Sequence, residues 1–177
     1  MVSFKFRLTE EEYFRFNYFT AWADSRRKRY RIFYFLRVML LYGIVAFLYI
    51  LATNSALIWV DITVFVSTGL IYLLLIPYFV RWSVKRKVDQ ILSKKENQHI
   101  LDESEIILAE TGITDRDTLS ESRYEWDAIV HYAATRDAHY LYTNSYHAIV
   151  IPKRVMQDAA DEEETGRLLN SFLTLHA

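Results

Sequence analysis

Two long apolar segments lie close together in the first half of the chain, at residues 32–52 and 57–80, with only four residues between them. A helix needs about 20 apolar residues to cross a hydrocarbon core about 30 Å thick, and both segments reach that length. Each segment contains a single charge, Arg37 or Asp61, near one end, where a side chain can extend to the interface. The pattern predicts an antiparallel transmembrane hairpin over residues 32–80.

The orientation of this hairpin follows from the basic residues that flank it. Five of the six residues 26–31 and four of the seven residues 81–87 are Lys or Arg, whereas residues 53–56 contain none. Because Lys and Arg favour the cytoplasmic side, we expect a multi-pass membrane protein with both termini in the cytoplasm. The flanks should also attract anionic lipid of the bilayer.

The rest of the chain has the opposite charge. Residues 88–177 carry eight Lys and Arg against seventeen Asp and Glu, which argues against nucleic acid as a partner. The chain has no cysteine and only four glycines, and it contains no P-loop, nucleophile elbow or Gly-rich phosphate loop. We therefore expect a protein that is not an enzyme and that needs no cofactor.

The first 31 residues are predicted to be an ordered cytoplasmic strand and amphipathic helix. Residues 3–8 alternate apolar and polar side chains, as a half-buried strand does. A single strand leaves its backbone groups unpaired, so this strand should join a sheet formed after residue 98. Thr9 and Glu12 have the spacing of a capping box and should start a helix. Its aromatic stripe would consist of Phe14, Tyr18 and Trp22.

A small α+β domain is predicted over residues 98–177, after a basic helical extension of the second apolar segment at residues 81–97. Short, polar breaks separate the candidate strands, which indicates an antiparallel meander. Acidic residues at 161–164 suit the N-terminus of a closing helix whose apolar face begins at Leu168. The predicted strands are residues 100–109, 112–118, 121–125, 129–135, 139–143 and 148–152.

This order of elements resembles the YcxB-like proteins, bacterial membrane proteins with a C-terminal YcxB-like domain. The resemblance extends over essentially the whole chain, and its most specific parts are YEWDAI at residues 124–129 and AIVIPKR at residues 148–154. It implies a pleckstrin-homology-like (PH-like) domain, an antiparallel sheet capped by a C-terminal helix. It also implies a location in the bacterial inner membrane, and it implies no catalytic residues. The chain departs from its relatives at Val155 and Met156, where they tend to have an aromatic residue.

Trp126 and Asp127 form the first candidate site for binding a partner. They could present an exposed aromatic and acidic pair, or the Trp126 ring could be buried under the sheet while Asp127 ends a turn. Lys153 and Arg154 form the second candidate site, after Pro152 ends the last strand. They could contact lipid phosphate or an acidic partner, or simply leave the sheet at a solvated turn.

The histidines raise the question of a metal site. His131 and His139 fall on neighbouring predicted strands and could face each other, with Asp137 or His147 nearby. Zinc needs three or four converging ligands, which no spacing in the sequence enforces. We therefore predict no metal site.

Three functions stay open from the sequence. The first is a membrane-anchored scaffold whose cytoplasmic domain binds an unidentified protein. The second is an immunity-type or stress protein that acts in the bilayer. The third is a subunit of an oligomeric transport assembly, since two helices cannot enclose a pore alone. Gly43 and Gly69 could support such a homo-oligomer, or they could pack only the hairpin itself.

Overall fold

The structure is a computed structural model that describes residues 1–53, 57–156 and 159–173. The chain divides into two compact units. One consists of Met1–Phe16 together with Val88–Ala177, and the other of Asn17–Lys87. Residues 54–56 of the predicted linker, and His176, lie outside the described residues.

Two long helices dominate the unit Asn17–Lys87. Helix α2 comprises Lys28–Thr53, and helix α3 comprises Ile58–Leu92 and thus continues beyond this unit. Both are long and apolar enough to cross a membrane, and the most apolar stretch of α2 is entirely unburied. Helix α3 ends at Leu92 rather than at residue 97, and a 3-10 helix occupies Lys95–Leu101.

Side-chain hydrogen bonds join α2 to α3. The Tyr42 hydroxyl donates to the Phe65 carbonyl oxygen at 3.0 Å and also bonds the Thr68 hydroxyl. A ring contact also joins the helices, because the Tyr49 ring lies 5.4 Å from the Phe65 ring. Tyr42 reaches as far as Thr68 of α3, whereas Tyr49, which comes later in α2, contacts the earlier residue Phe65. The two helices therefore run antiparallel, as predicted.

A corner in the chain precedes α2. Helix α1 comprises Glu10–Tyr18, a π-helical turn follows at Phe19–Ala23, and Asp24 then leaves helical geometry with φ −53° and ψ 133°. The Trp22 ring lies 6.4 Å from the Tyr34 ring, although a straight helix would separate the two residues by about 18 Å. The corner follows the predicted stripe, whose residues lie in α1 and in the π-helical turn that continues it directly.

The first sheet is antiparallel and has the order β1-β2-β3-β4. Strand β1 (Val2–Arg7) pairs with β2 (Glu103–Ala109), and Phe4 stands opposite Ile106. The prediction that residues 3–8 join a sheet formed after residue 98 is confirmed. The two apolar helices lie in the sequence between these paired strands. The other strands of this sheet are β3 (Gly112–Arg116) and β4 (Glu121–Tyr124).

A second antiparallel sheet follows, where the sequence predicted one continuous meander. Its order is β5-β6-β7, with β5 at His131–Ala134, β6 at Ala138–Tyr142 and β7 at Ala148–Pro152. A 3-10 turn at Trp126–Ala128 separates it from the first sheet. Helix α4 (Ala159–Leu173) follows β7. Its buried side chains join a core that contains Phe4, Phe6, Leu108, Ile113, Leu141, Ile151, Leu168 and Leu169.

Candidate functional site

Trp126 lies in the core of the domain. Its side chain is only 6% exposed, its Nε1–H donates to the Ala109 carbonyl oxygen at 3.0 Å, and its ring stacks on Phe172 at a centroid distance of 5.0 Å. The ring thus links the end of β2 to α4, and it is not exposed to a partner. Asp127, the next residue, is exposed on the 3-10 turn.

Gly112 shapes the turn next to Trp126. It has a φ of +142°, a conformation that L side chains rarely adopt. A Cβ atom here would also collide with the backbone carbonyl of Tyr124 on β4. The glycine therefore allows β3 to start close against β4, just before the Trp126 turn.

Arg154 bridges the end of the second sheet to the beginning of the chain. Its Nε donates to Glu12 Oε1 at 2.6 Å and its Nη2 donates to Glu12 Oε2 at 2.9 Å. The same Nη2 donates to the carbonyl oxygen of Arg7 at 2.7 Å. Arg154 therefore holds the corner between β1 and α1, which no local sequence pattern indicated.

Glu12 is both a helix cap and the partner of Arg154. The Thr9 amide donates to Glu12 Oε2 at 2.9 Å, and the Glu12 amide donates to Thr9 Oγ1 at 3.2 Å, so the predicted capping box is confirmed. Burial raises the pKa of the Glu12 carboxyl, but the hydrogen bonds from Arg154 and Thr9 outweigh burial and hold this pKa below its ordinary value.

Lys153 also contacts an acidic residue of this domain. Its Nζ lies 3.7 Å from Glu162 Oε1 on α4, and its backbone amide donates to the Asp137 carbonyl oxygen at 2.8 Å. The two basic residues that the sequence singled out thus contact carboxylates of their own domain. Binding of an external partner by Asp127, Lys153 or Arg154 stays a prediction.

Helix α1 packs on the second sheet. The Phe16 ring lies 5.5 Å from the Tyr140 ring and 6.3 Å from the Tyr142 ring. Beside this contact, Arg15 Nη1 donates to Asp137 Oδ2 at 2.8 Å. Phe16 of α1 therefore packs on the face of β6 that carries Tyr140 and Tyr142.

The two strand histidines point to opposite faces of the second sheet. His131 stands opposite Tyr142 and His139 opposite Ala134, so their positions differ by an odd number of residues along the ladder. The expectation that they could face each other is wrong. Among the described residues, no group of three or more His, Cys, Asp or Glu is placed to hold a metal ion.

His139 is a buried, neutral histidine. Its Nδ1 hydrogen-bonds the Tyr132 hydroxyl at 2.6 Å, and the two rings are nearly parallel. Burial, together with the nearby charge of Lys153, lowers the pKa of His139 to about 4. No described residue hydrogen-bonds its Nε2. The hydrogen bond and ring stacking between Tyr132 and His139 stabilise the second sheet, and they do not form a metal site.

Comparison with known proteins places part of this domain in a family. Residues 108–168 match the family described as YcxB-like protein. No curated protein and no solved structure matches the chain. The match begins at Leu108 in β2 and ends at Leu168 in α4, so it includes both sheets except β1 and most of β2. The resemblance to YcxB-like proteins is confirmed for residues 108–168, and its extension over the rest of the chain stays a prediction.

Proposed function

We propose that this protein is a bacterial inner-membrane scaffold. Helices α2 and α3 cross the membrane, and both termini lie in the cytoplasm, where a PH-like domain binds a protein partner. The observation that carries this proposal is the pairing of β1 with β2, because the two apolar helices lie between these strands in the sequence. The hairpin is thus an insertion within one cytoplasmic fold.

The exposed side chains of the two helices support their insertion into lipid. Leu40 and Phe47 on α2 are 66% and 62% exposed, and Leu74 on α3 is 72% exposed. Apolar surfaces of this extent mark protein or membrane interaction sites. Lipid is the solvent that suits both helices along their whole apolar length.

The two antiparallel sheets and α4 support the PH-like assignment. Leu168 and Leu169 of α4 belong to the same core as the strands of both sheets. A C-terminal helix that closes an antiparallel sheet is what the YcxB-like resemblance implies. The acidic character of residues 88–177 favours a basic protein partner over nucleic acid.

Single cysteines provide a test of the orientation, because the chain has none of its own. We would introduce Leu119→Cys on an exposed turn of the domain and Leu57→Cys immediately before α3. In intact spheroplasts, a membrane-impermeant maleimide should label only Leu57→Cys, and lysis should make Leu119→Cys reactive. Labelling of Leu119→Cys before lysis would contradict the proposed topology.

A hairpin exchange separates scaffolding from the two alternatives. Residues 32–80 would be replaced by an unrelated two-helix hairpin, and proteins bound in cells would be identified by crosslinking. Scaffolding predicts that the same cytoplasmic partners are recovered. An immunity-type or transport function acts through the bilayer. Either of these functions predicts that the exchange destroys the activity of the protein in cells.

A further inference from the structure

Each sheet has two edge strands, and three of these four edges are protected. Strand β1 carries exposed Lys5, and its last carbonyl, at Arg7, accepts from Arg154. Strand β4 carries Glu121 and Arg123. Strand β7 is buried over its last four residues and ends in Pro152. Charges, proline and cover are the usual means by which proteins prevent an edge from pairing with another chain.

Strand β5 has neither charges nor a proline, and its residues are half-buried or exposed rather than buried. Residues 128–135 contain neither a charged residue nor a proline. Strand β6 is the only strand that pairs with β5 in the described part of the chain. Next to β5, Val130 is 64% exposed, and Ala134 within it is exposed.

The hydrogen-bond pattern shows which backbone groups this edge offers. The Thr135 amide donates to the Ala138 carbonyl oxygen at 2.9 Å, which makes this a hydrogen-bonded pair. In an antiparallel ladder such pairs alternate, so the amides and carbonyls of Tyr132 and Ala134 point away from β6. Within the described residues, no backbone hydrogen bond outside the ladder involves either of them.

We propose that the free edge of β5 is a docking site for an extended, basic segment of a protein partner, which adds a strand to the second sheet. The N–H and C=O groups of Tyr132 and Ala134 supply the main-chain hydrogen bonds of such β-augmentation. This inference rests on the protein-binding function proposed above and assigns that function to a surface.

Charge decides between a foreign segment and a second copy of this chain. Residues 88–177 carry seventeen acidic against eight basic residues, so two copies of this domain repel each other. A basic segment is attracted by the same field. Because the edge of β5 is uncharged, it places no positive charge against the basic segment. Pairing therefore carries no penalty for burying an unpaired ion of β5.

Ala134→Pro tests the edge directly. Proline removes the outward amide of residue 134 and leaves the amides of His131, Ala133 and Thr135, which face β6, in place. The matched control is Ala134→Val, which keeps this amide. A second variant, Ala134→Lys, keeps the amide but places on the edge a charge that repels a basic segment. This variant replaces Ala134→Pro in the test if the proline lowers the melting temperature.

The probe is a library of eight-residue peptides that alternate Lys or Arg with Val, Ile or Thr, presented to the full chain in lipid nanodiscs. We expect saturable binding that weakens with salt. Affinity should fall at least tenfold in Ala134→Pro and Ala134→Lys, and it should stay within twofold in Ala134→Val. Peptides with Glu in place of Lys and Arg should bind at least tenfold more weakly.

Three results would overturn the docking site. These are no saturable binding by any library peptide, equal binding to wild type and Ala134→Pro, and dimerisation of the wild type that Ala134→Pro abolishes, which would assign the edge to a second copy. If the same partners are crosslinked in cells to Ala134→Pro, the scaffold function uses another surface than the edge of β5. If the wild type yields no cytoplasmic partner, the scaffold function itself fails.

Discussion

Arg154 and Glu12, which are 142 residues apart in the sequence, form a two-pronged ion pair with N–O distances of 2.6 and 2.9 Å. The pair joins the first turn of α1 to the 3-10 turn that follows β7. It therefore connects the segment that precedes the apolar helices to the domain that follows them.

We expect Arg154→Lys to destabilise the domain by roughly 1–2 kcal/mol, because lysine cannot bind a carboxylate with two parallel hydrogen bonds. The melting temperature in detergent micelles measures this. Glu12→Gln should cost a similar amount, and its effect should vanish at low pH, where Glu12 is protonated. The hydrogen-bonded carboxylate has a lowered pKa, so its stabilising contribution is lost as the pH falls through the folded-state pKa. A Glu12→Gln effect that is independent of pH would contradict this assignment.

Acid should also destabilise the domain through His139. Its pKa is about 4 in the folded protein against an ordinary 6.5, so the unfolded chain binds the extra proton between these values. Stability should be complete above pH 6.5 and decline by an amount on the order of 3 kcal/mol towards pH 4. Chemical denaturation between pH 4 and 8 measures this decline. His139→Gln cannot titrate and should show a shallower decline, and an unchanged profile would exclude His139 as the cause.

Substitutions of Trp126 should act on stability. Trp126→Ala removes a buried ring and should cost about 3–5 kcal/mol. Trp126→Phe keeps an aromatic ring against Phe172 but loses the hydrogen bond to the Ala109 carbonyl, and it should cost about 1–3 kcal/mol. Thermal unfolding monitored by circular dichroism distinguishes these values. If either variant bound partners less but kept its melting temperature, Trp126 would have a binding role.

Two glycines of the domain form a matched pair. Gly112→Ala should destabilise by more than about 1 kcal/mol, because residue 112 has positive φ and faces the Tyr124 carbonyl. Gly166 lies in α4 with open space around its Cβ position, so Gly166→Ala should stabilise by about 0.5–1 kcal/mol. Melting temperatures that move in the same direction would contradict the described conformation of one of these positions.

Two glycines of the apolar helices form another pair. A Cβ on Gly69 would lie 3.3 Å from the Tyr42 ring, whereas a Cβ on Gly43 would meet nothing within 4 Å. Gly69→Val should therefore lower the midpoint of unfolding by sodium dodecyl sulfate, and Gly43→Val should leave it nearly unchanged. Equal effects of the two substitutions would indicate that Gly69 is not at the contact between α2 and α3.

A local sequence pattern was sufficient to predict an element where a single physical requirement decides its structure. Capping needs only Thr9 and Glu12 at a fixed spacing, and a strand at residues 3–8 cannot leave its backbone unpaired. The break between the two sheets was missed, because residues 121–135 look like two ordinary strands of one meander. The turn at Trp126–Ala128 forms where the Trp126 ring enters the core, and this is a contact with distant residues.

The sequence by itself determined the two apolar helices, the antiparallel strands and the closing helix, because periodicity and length depend on neighbours along the chain. Tertiary structure decided what each side chain contacts. It buried Trp126, paired Arg154 with Glu12, put His131 and His139 on opposite faces, and left β5 as an unprotected edge. These outcomes depend on strand register and on which element covers which face, and register is fixed only when distant segments pack together.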